Sequence, residues 1–127
     1  MKRLKFLIIP ALCAAAVFLL LRFVFLIGYV PTESMEPTLE KDSFILGSRI
    51  YGKLSTGDIV IFEHEGQLMV KRIAAVQGEE IERNGIQITV PANCYYMLGD
   101  NSANSYDSRF WTEPFIEKGC IVAKLLW

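Results

Sequence analysis

The stretch DIVIFEHEGQLMVKRIAAVQ, residues 58–77, reads as two strand-forming runs folded back on each other. Val, Ile and Phe dominate the first run, and HEGQ, His64 to Gln67, supplies a hairpin turn between the two. A strand through the second run alternates its side chains, which puts Met69, Lys71 and Ile73 on one face. Lys71 is then flanked by Leu68, Met69, Val70, Ile73, Ala74, Ala75 and Val76. A lysine facing a core is rarely idle, because desolvation disfavours its charged form and makes the amine a base. Strand phase alone leaves the opposite reading open, with Arg72 inward and Lys71 in solvent.

The same pattern continues on both sides. SFILGSRIY (43–51), IQITV (86–90), CYYML (94–98) and CIVAKLLW (120–127) are short β-rich runs separated by Gly, Asp, Asn and Pro clusters. Asn84-Gly85, between EIER and IQITV, is the dipeptide favoured by a tight type I′ hairpin. Ser55 to Asp58 reads as a turn feeding a strand. No helical period follows Gly28. These features predict a mainly β fold: a small, antiparallel, partly closed barrel-like domain.

Before that domain, LKFLIIPALCAAAVFLLLRFVFLI (4–27) carries no charge between Phe6 and Leu21. Such a run is long enough to cross a bilayer as one helix. A cleavable leader has a shorter apolar segment ending in small residues, whereas here Ala11, Ala14, Ala15 and Ala16 lie mid-run and bulky residues follow. The run therefore reads as an uncleaved anchor. Pro10 is tolerated near its start, and Arg22 reaches for the far interface. Leu12 before Cys13 argues against lipid attachment. Lys2, Arg3 and Lys5 hold the N-terminus in the cytoplasm. The expected organisation is a cytoplasmic stretch at 1–5, a transmembrane anchor at 6–27 and an extracytoplasmic domain at 28–127, with the lipid bilayer of the cell membrane as a partner.

Composition excludes several classes. Of 127 residues, 52% are hydrophobic and the net charge is −1. No basic run or aromatic–basic interleaving suggests nucleic acid. His64, the one histidine, reads as a surface turn residue beside Glu63 and Glu65. Cys94 and Cys120 lack metal-site spacing, so no metal or cofactor is expected, and both a disulfide and two free thiols stay open. A Ser-His-Asp triad is poorly supported.

PTESMEPTL (31–39) places Ser34 between two prolines just beyond the anchor. It reads as a helix cap, a membrane-exit turn or a nucleophile on a rigid extended loop, with Glu33 and Glu36 facing solvent. A serine can be activated without histidine when a neutral lysine takes its proton. GDNSANSYDSR (99–109) has the composition of a polar loop, in which Asp107 and Arg109 can pair and Ser105 can orient a lysine amine.

SMEPTL (34–39), GDIVIF (57–62), VKRI (70–73) and GDNSANSYDSR (99–109), in this order after one anchor, resemble the boxes of bacterial type I signal peptidase. The resemblance implies a serine–lysine endopeptidase acting on secretory preproteins. Ser34 matches the nucleophile and Lys71 the general base. Thr32 and the Ser34 N–H match the oxyanion hole, and Ser105 the group that orients the lysine. Asp107 and Arg109 match a supporting ion pair, with Asp100 in the same structural box. Pro31, Met35, Leu39 and Val70 match positions lining pockets for small substrate side chains, and Met35 also helps keep the lysine neutral. Val76-Gln77 stands where the family commonly has leucine-proline, and the domain resembles the compact Gram-positive form. Ile59, Ile61 and Phe62 are expected to dip into the membrane interface. A processing protease for a narrow set of pilus or conjugation precursors and a non-catalytic membrane-anchored β-module remain alternatives. Self-cleaving repressors share the chemistry but not the anchor. Oligomeric state is left open.

Overall fold

The computed structural model describes residues 2–126. Met1 and Trp127, the outermost residues of the expected cytoplasmic stretch and protease domain, lie outside them. Helix α1 spans Lys2–Val24, and its 23 residues give a rod of roughly 35 Å. None of its residues is buried against the rest of the chain. A helix this long, apolar and uncovered has the dimensions of a membrane span.

The chain passes from α1 into β1 (Phe25–Tyr29) without a loop. Phe25 to Ile27, read from sequence as the end of the anchor, are therefore strand. They find a ladder partner in β2 (Phe44–Ser48), with Leu26 opposite Gly47 and Ile27 opposite Leu46. Apolarity alone does not separate the end of a membrane helix from a buried strand.

Then follow β3 (Ile59–His64), β4 (Gln67–Val76), β5 (Glu80–Arg83), β6 (Ile86–Thr89), β7 (Cys94–Leu98), β8 (Phe115–Glu117) and β9 (Ile121–Leu125). Seven strands form one antiparallel sheet in the order β1-β2-β9-β3-β4-β7-β8, and β5–β6 is a separate hairpin. The fold is mainly β, as expected, although the sheet keeps two edges and does not close. Both short turns have the backbone their sequences require. Glu65-Gly66 have φ of 50° and 78°, and Asn84-Gly85 have 55° and 78°, the pair of left-handed residues that matches strand twist in a two-residue hairpin. Two strands escaped the sequence reading: β1, hidden in the anchor run, and β8, a three-residue edge strand on β7.

The largest core cluster gathers Leu54, Val60, Phe62, Ile73, Met97, Trp111, Ile116 and Ile121. A second, of Val30, Met35, Leu39, Ile45, Ile61 and Ala123, lies under the 31–39 loop. Two expectations fail here. Ile61 and Phe62 are buried in these clusters and Ile59 packs half-buried against the second, so none is free to enter a membrane interface. The exposed apolar residues beside the anchor are Ile27, Tyr29 and Phe44 instead. His64 is not a free turn residue: its ring stacks on Trp111 with centroids 4.0 Å apart. That contact ties the β3–β4 hairpin to the 99–111 loop.

Phe62 is completely buried and meets Trp111 nearly edge-on at 6.0 Å between centroids. Phe62→Ala should cost about 3–5 kcal/mol of stability through lost burial and the cavity left behind. Chemical denaturation of the detergent-solubilised protein measures this, and a loss under about 1 kcal/mol would contradict the packing described.

Candidate active site

Strand β4 decides the direction of Lys71. Lys71, Ile73 and Ala75 alternate inward while Arg72 points the other way, so the reading with Lys71 in solvent is excluded. The backbone of Lys71 pairs with Val60 of β3, and its side chain is 5% exposed. Ser34 comes to it from the loop after β1. That loop is not extended: it closes in successive turns, with Glu36 N–H donating to Glu33 O and Leu39 N–H to Met35 O. Met35 is fully buried beneath it, and Asn101 N–H donates to Ser34 O at 2.8 Å.

These supports bring Lys71 Nζ to 2.8 Å from Ser34 Oγ. The amine also reaches Ser105 Oγ at 3.3 Å, and Ser105 Oγ–H donates to Asp107 Oδ2 at 2.8 Å. Asp107 is fully buried and accepts from Gly99 N–H at 3.0 Å and from Arg109 Nε–H at 2.8 Å. The chain Ser34–Lys71–Ser105–Asp107–Arg109 is thus continuous. Thr32 Oγ1 lies 3.2 Å from Ser34 Oγ and 3.5 Å from Ser34 N. A threonine hydroxyl and a backbone N–H therefore sit side by side at the serine, the donor types that stabilise a developing oxyanion.

The charges follow from burial. Desolvation is the largest influence on Lys71 and lowers its pKa below the ordinary 10.5; Asp107 opposes this and Arg109 adds to it. Asp107 itself is desolvated, which alone would raise its pKa. The bonds it accepts from Arg109, Gly99 and Ser105 outweigh that and hold it below the ordinary carboxylate range. The site thus holds an amine pushed toward neutrality beside a carboxylate fixed in its charged form.

Gly99 shows how tightly the parts are fitted. A Cβ there would stand 2.1 Å from Ser105 Oγ and 2.7 Å from Ser34 O, so the loop can approach both serines only with glycine. Asp100 braces from the other side. It binds Arg72 at 2.8 and 2.7 Å and accepts from Thr38 Oγ1 at 2.6 Å, joining β4, the Ser34 loop and the 99–109 loop. The bonds from Arg72 lead the lowering of the Asp100 pKa.

A cleft of about 380 Å³ opens above the dyad, lined by Pro31, Thr32, Ser34, Val70 and Lys71 among others. Met35 and Leu39, expected to line substrate pockets, belong to the core cluster beneath. Met35 is the nearer support, its Sδ accepting from Asp100 N–H at 3.4 Å. Sequence reasoning gave no role to Arg72, Thr38 or Gly99, which hold the loops, nor to Asn104 and Tyr106, which line the cleft. For Arg72 the alternation itself was the signal: with Lys71 inward, its neighbour had to bind outside. Among the described residues no group of three His, Cys, Asp or Glu side chains could hold a metal ion.

Because the Asp107 pKa is depressed in the folded state, its contribution to stability is present above the ordinary value of 3.8 and is lost as pH falls through the lower folded value. Asp107→Asn should therefore lose stability at neutral pH and show a shallower decline in acid. Melting temperature measured from neutral pH to about pH 2 checks this, and parallel curves for the two proteins would refute it.

Comparisons with known proteins place the chain among its relatives. A family model described as signal peptidase, peptidase S26, matches residues 1–90 and 85–127. Signal peptidase I of Leptolyngbya laminosa is 29% identical over 119 residues, 65% of this chain and 59% of that protein. Probable signal peptidase I-1 of Synechocystis is 30% identical over 141 residues, 81% of this chain and 72% of the relative. Mitochondrial inner membrane protease subunit 1 of Schizosaccharomyces pombe is 30% identical over 125 residues, 89% and 78%. The chain covers 59% and 54% of two of the signal peptidases it matches, a little over half their length. With the family model matching residues 1–127 between its two segments, the chain belongs to the signal peptidase family, peptidase S26.

Proposed function

We propose that this protein is a membrane-tethered serine endopeptidase that removes N-terminal signal peptides from secreted precursors at small-x-small sites. The observation that carries the reading is the 2.8 Å approach of a buried lysine amine to a buried serine hydroxyl, with a hydroxyl pair, Thr32 and Ser105, on either side. Lys2, Arg3 and Lys5 favour a cytoplasmic N-terminus, which puts the cleft on the outer face of the cell membrane where precursors emerge. Phe44, exposed beside the anchor, then faces lipid.

The fold also supports an extended substrate. β1 pairs on one side only, and β4 pairs with β7 only from Arg72 onward, which leaves Gln67 to Lys71 with an open edge. Both open segments border the cleft. A peptide lying between them can add a strand to each, with main-chain bonds fixing its register. Pro31 and Val70 then limit the side chains beside the scissile bond to small ones.

Neutral Lys71 accepts the Ser34 proton as Oγ attacks the scissile carbonyl. Negative charge passes to the carbonyl oxygen, held by the Ser34 N–H and the Thr32 hydroxyl. Collapse expels the amine of the mature protein, which takes the proton from Lys71, and leaves the signal peptide as an ester on Ser34. Lys71 then deprotonates a water that hydrolyses the ester. Ser105 orients the amine throughout, and the Asp107–Arg109 pair fixes Ser105.

Detergent-purified protein should cleave a precursor bearing an Ala-x-Ala site, while Ser34→Ala and Lys71→Met abolish cleavage. Equal cleavage by all three would falsify the dyad. Rate should rise with pH as Lys71 loses its proton, with a midpoint below the ordinary lysine value of 10.5. A pH–rate profile that climbs only above that value would contradict the role assigned to burial. Gly99→Ala, which displaces both serines, should lower kcat by about 100-fold; wild-type kcat in a folded variant would show the fit is not needed.

A further inference from the structure

The 99–109 loop carries one large side chain that the mechanism leaves unused. Ser105 and Asp107 point inward, 7% and 0% exposed. Ser105 is extended, with φ −122° and ψ 131°, so the residue between the two must face the opposite way. That residue is Tyr106. It is 58% exposed and lines the same cleft as Ser34 and Lys71.

The ring is exposed but not loose. It lies nearly parallel to Phe110, at 7° with centroids 6.4 Å apart, and meets the buried Trp111 nearly edge-on at 6.4 Å. The Arg109 guanidinium stands 5.0 Å from the centre of the Phe110 ring. Phe110 N–H and Trp111 N–H both donate to Asp107 O. Three aromatic rings are therefore braced on the turn that holds the Asp107 carboxylate. Leu68 and Ile27, exposed at 60% and 75%, also line the cleft, on β4 and β1. Bulky apolar surface fixed at the mouth of a site, with none of the described residues covering it, marks a place where a ligand side chain is received.

We propose that Tyr106, held by Phe110 and Trp111, is a specificity-determining residue that receives a bulky apolar or aromatic side chain of the bound polypeptide, next to the small residues at the scissile bond. The occupant is the substrate chain itself, because the aromatic surface is continuous with the walls of the cleft. The inference rests on the endopeptidase reading. It adds to that reading a selection the small-residue pockets do not provide. Aromatic contacts of this kind act mainly on binding, so the effect falls on KM more than on kcat.

The test is a peptide library with a fixed Ala-x-Ala site, each flanking position varied in turn among Leu, Phe, Ala, Ser and Asp. It is cut by wild-type protein, Tyr106→Ala and Tyr106→Phe, with melting temperatures checking that each variant is folded. At one flanking position the wild type should prefer Leu or Phe over Ala by about tenfold in kcat/KM. Tyr106→Ala should lose that preference through KM, and Tyr106→Phe should keep it. Identical profiles for wild type and Tyr106→Ala, or a wild type indifferent at every flanking position, overturn the proposal. If no peptide is cut, the endopeptidase reading fails separately. Fluorescence anisotropy of the same labelled peptides on Ser34→Ala protein, with and without Tyr106→Ala, then decides the subsite: tighter binding of the Leu and Phe peptides that depends on Tyr106 upholds it, and equal binding overturns it.

Discussion

The structure turns on the burial of one amine. Lys71 is placed on a core-facing position of β4, where water is excluded and the charged form is disfavoured. Each unit by which its pKa falls represents about 1.4 kcal/mol of difference between its two protonation states. That energy is supplied by everything that keeps water from the amine: the β3–β4 ladder, the 31–39 loop over Met35 and the 99–109 loop. In the proposed mechanism this amine takes the proton of the Ser34 hydroxyl that it already touches.

Burying a lysine beside a carboxylate carries an opposite danger, since Asp107 pulls the lysine toward its charged form. The chain deals with this through intermediaries. Arg109 takes up both oxygens of Asp107, and Ser105 stands between the carboxylate and the amine. Asp107 therefore acts on Lys71 both directly by charge and through the Ser105 hydroxyl that it anchors. A second pair, Arg72 with Asp100, does mechanical work, linking β4 to the two loops that carry Ser34 and Ser105.

Anchor and cleft are joined with little slack. β1 begins at the residue after α1 ends, and its open edge borders the cleft. The strand that follows α1 directly thus forms one wall of the cleft that holds Ser34 and Lys71. The separate β5–β6 hairpin contributes at a distance: Arg83 donates to the main-chain oxygens of Arg109 and Trp111, steadying the loop from behind.

Local chemistry made much of this legible from the sequence. Asn84-Gly85 specifies its turn because Asn and Gly adopt left-handed backbone more readily than other residues, and Gly66 supplies the same freedom in the turn it shares with Glu65. Short runs rich in β-branched, aromatic and other apolar residues between turn signals specify β3, β4, β7 and β9, and an uncharged run of helical length specifies the anchor. Ser34, Lys71, Ser105, Asp107 and Arg109 were legible as an ordered set of short motifs. Only tertiary structure decided which face of β4 Lys71 occupies, because strand phase is symmetric until one side is covered. It also moved Phe25 to Ile27 from membrane helix to strand, through pairing with β2 far along the chain. It sent Met35, Leu39, Ile61 and Phe62 into the core, and turned His64 from a hairpin tip into a stacking partner of Trp111. Each of these depends on contacts between segments distant in sequence. Periodicity carries which residues alternate, but what covers each face is settled only when the segments pack.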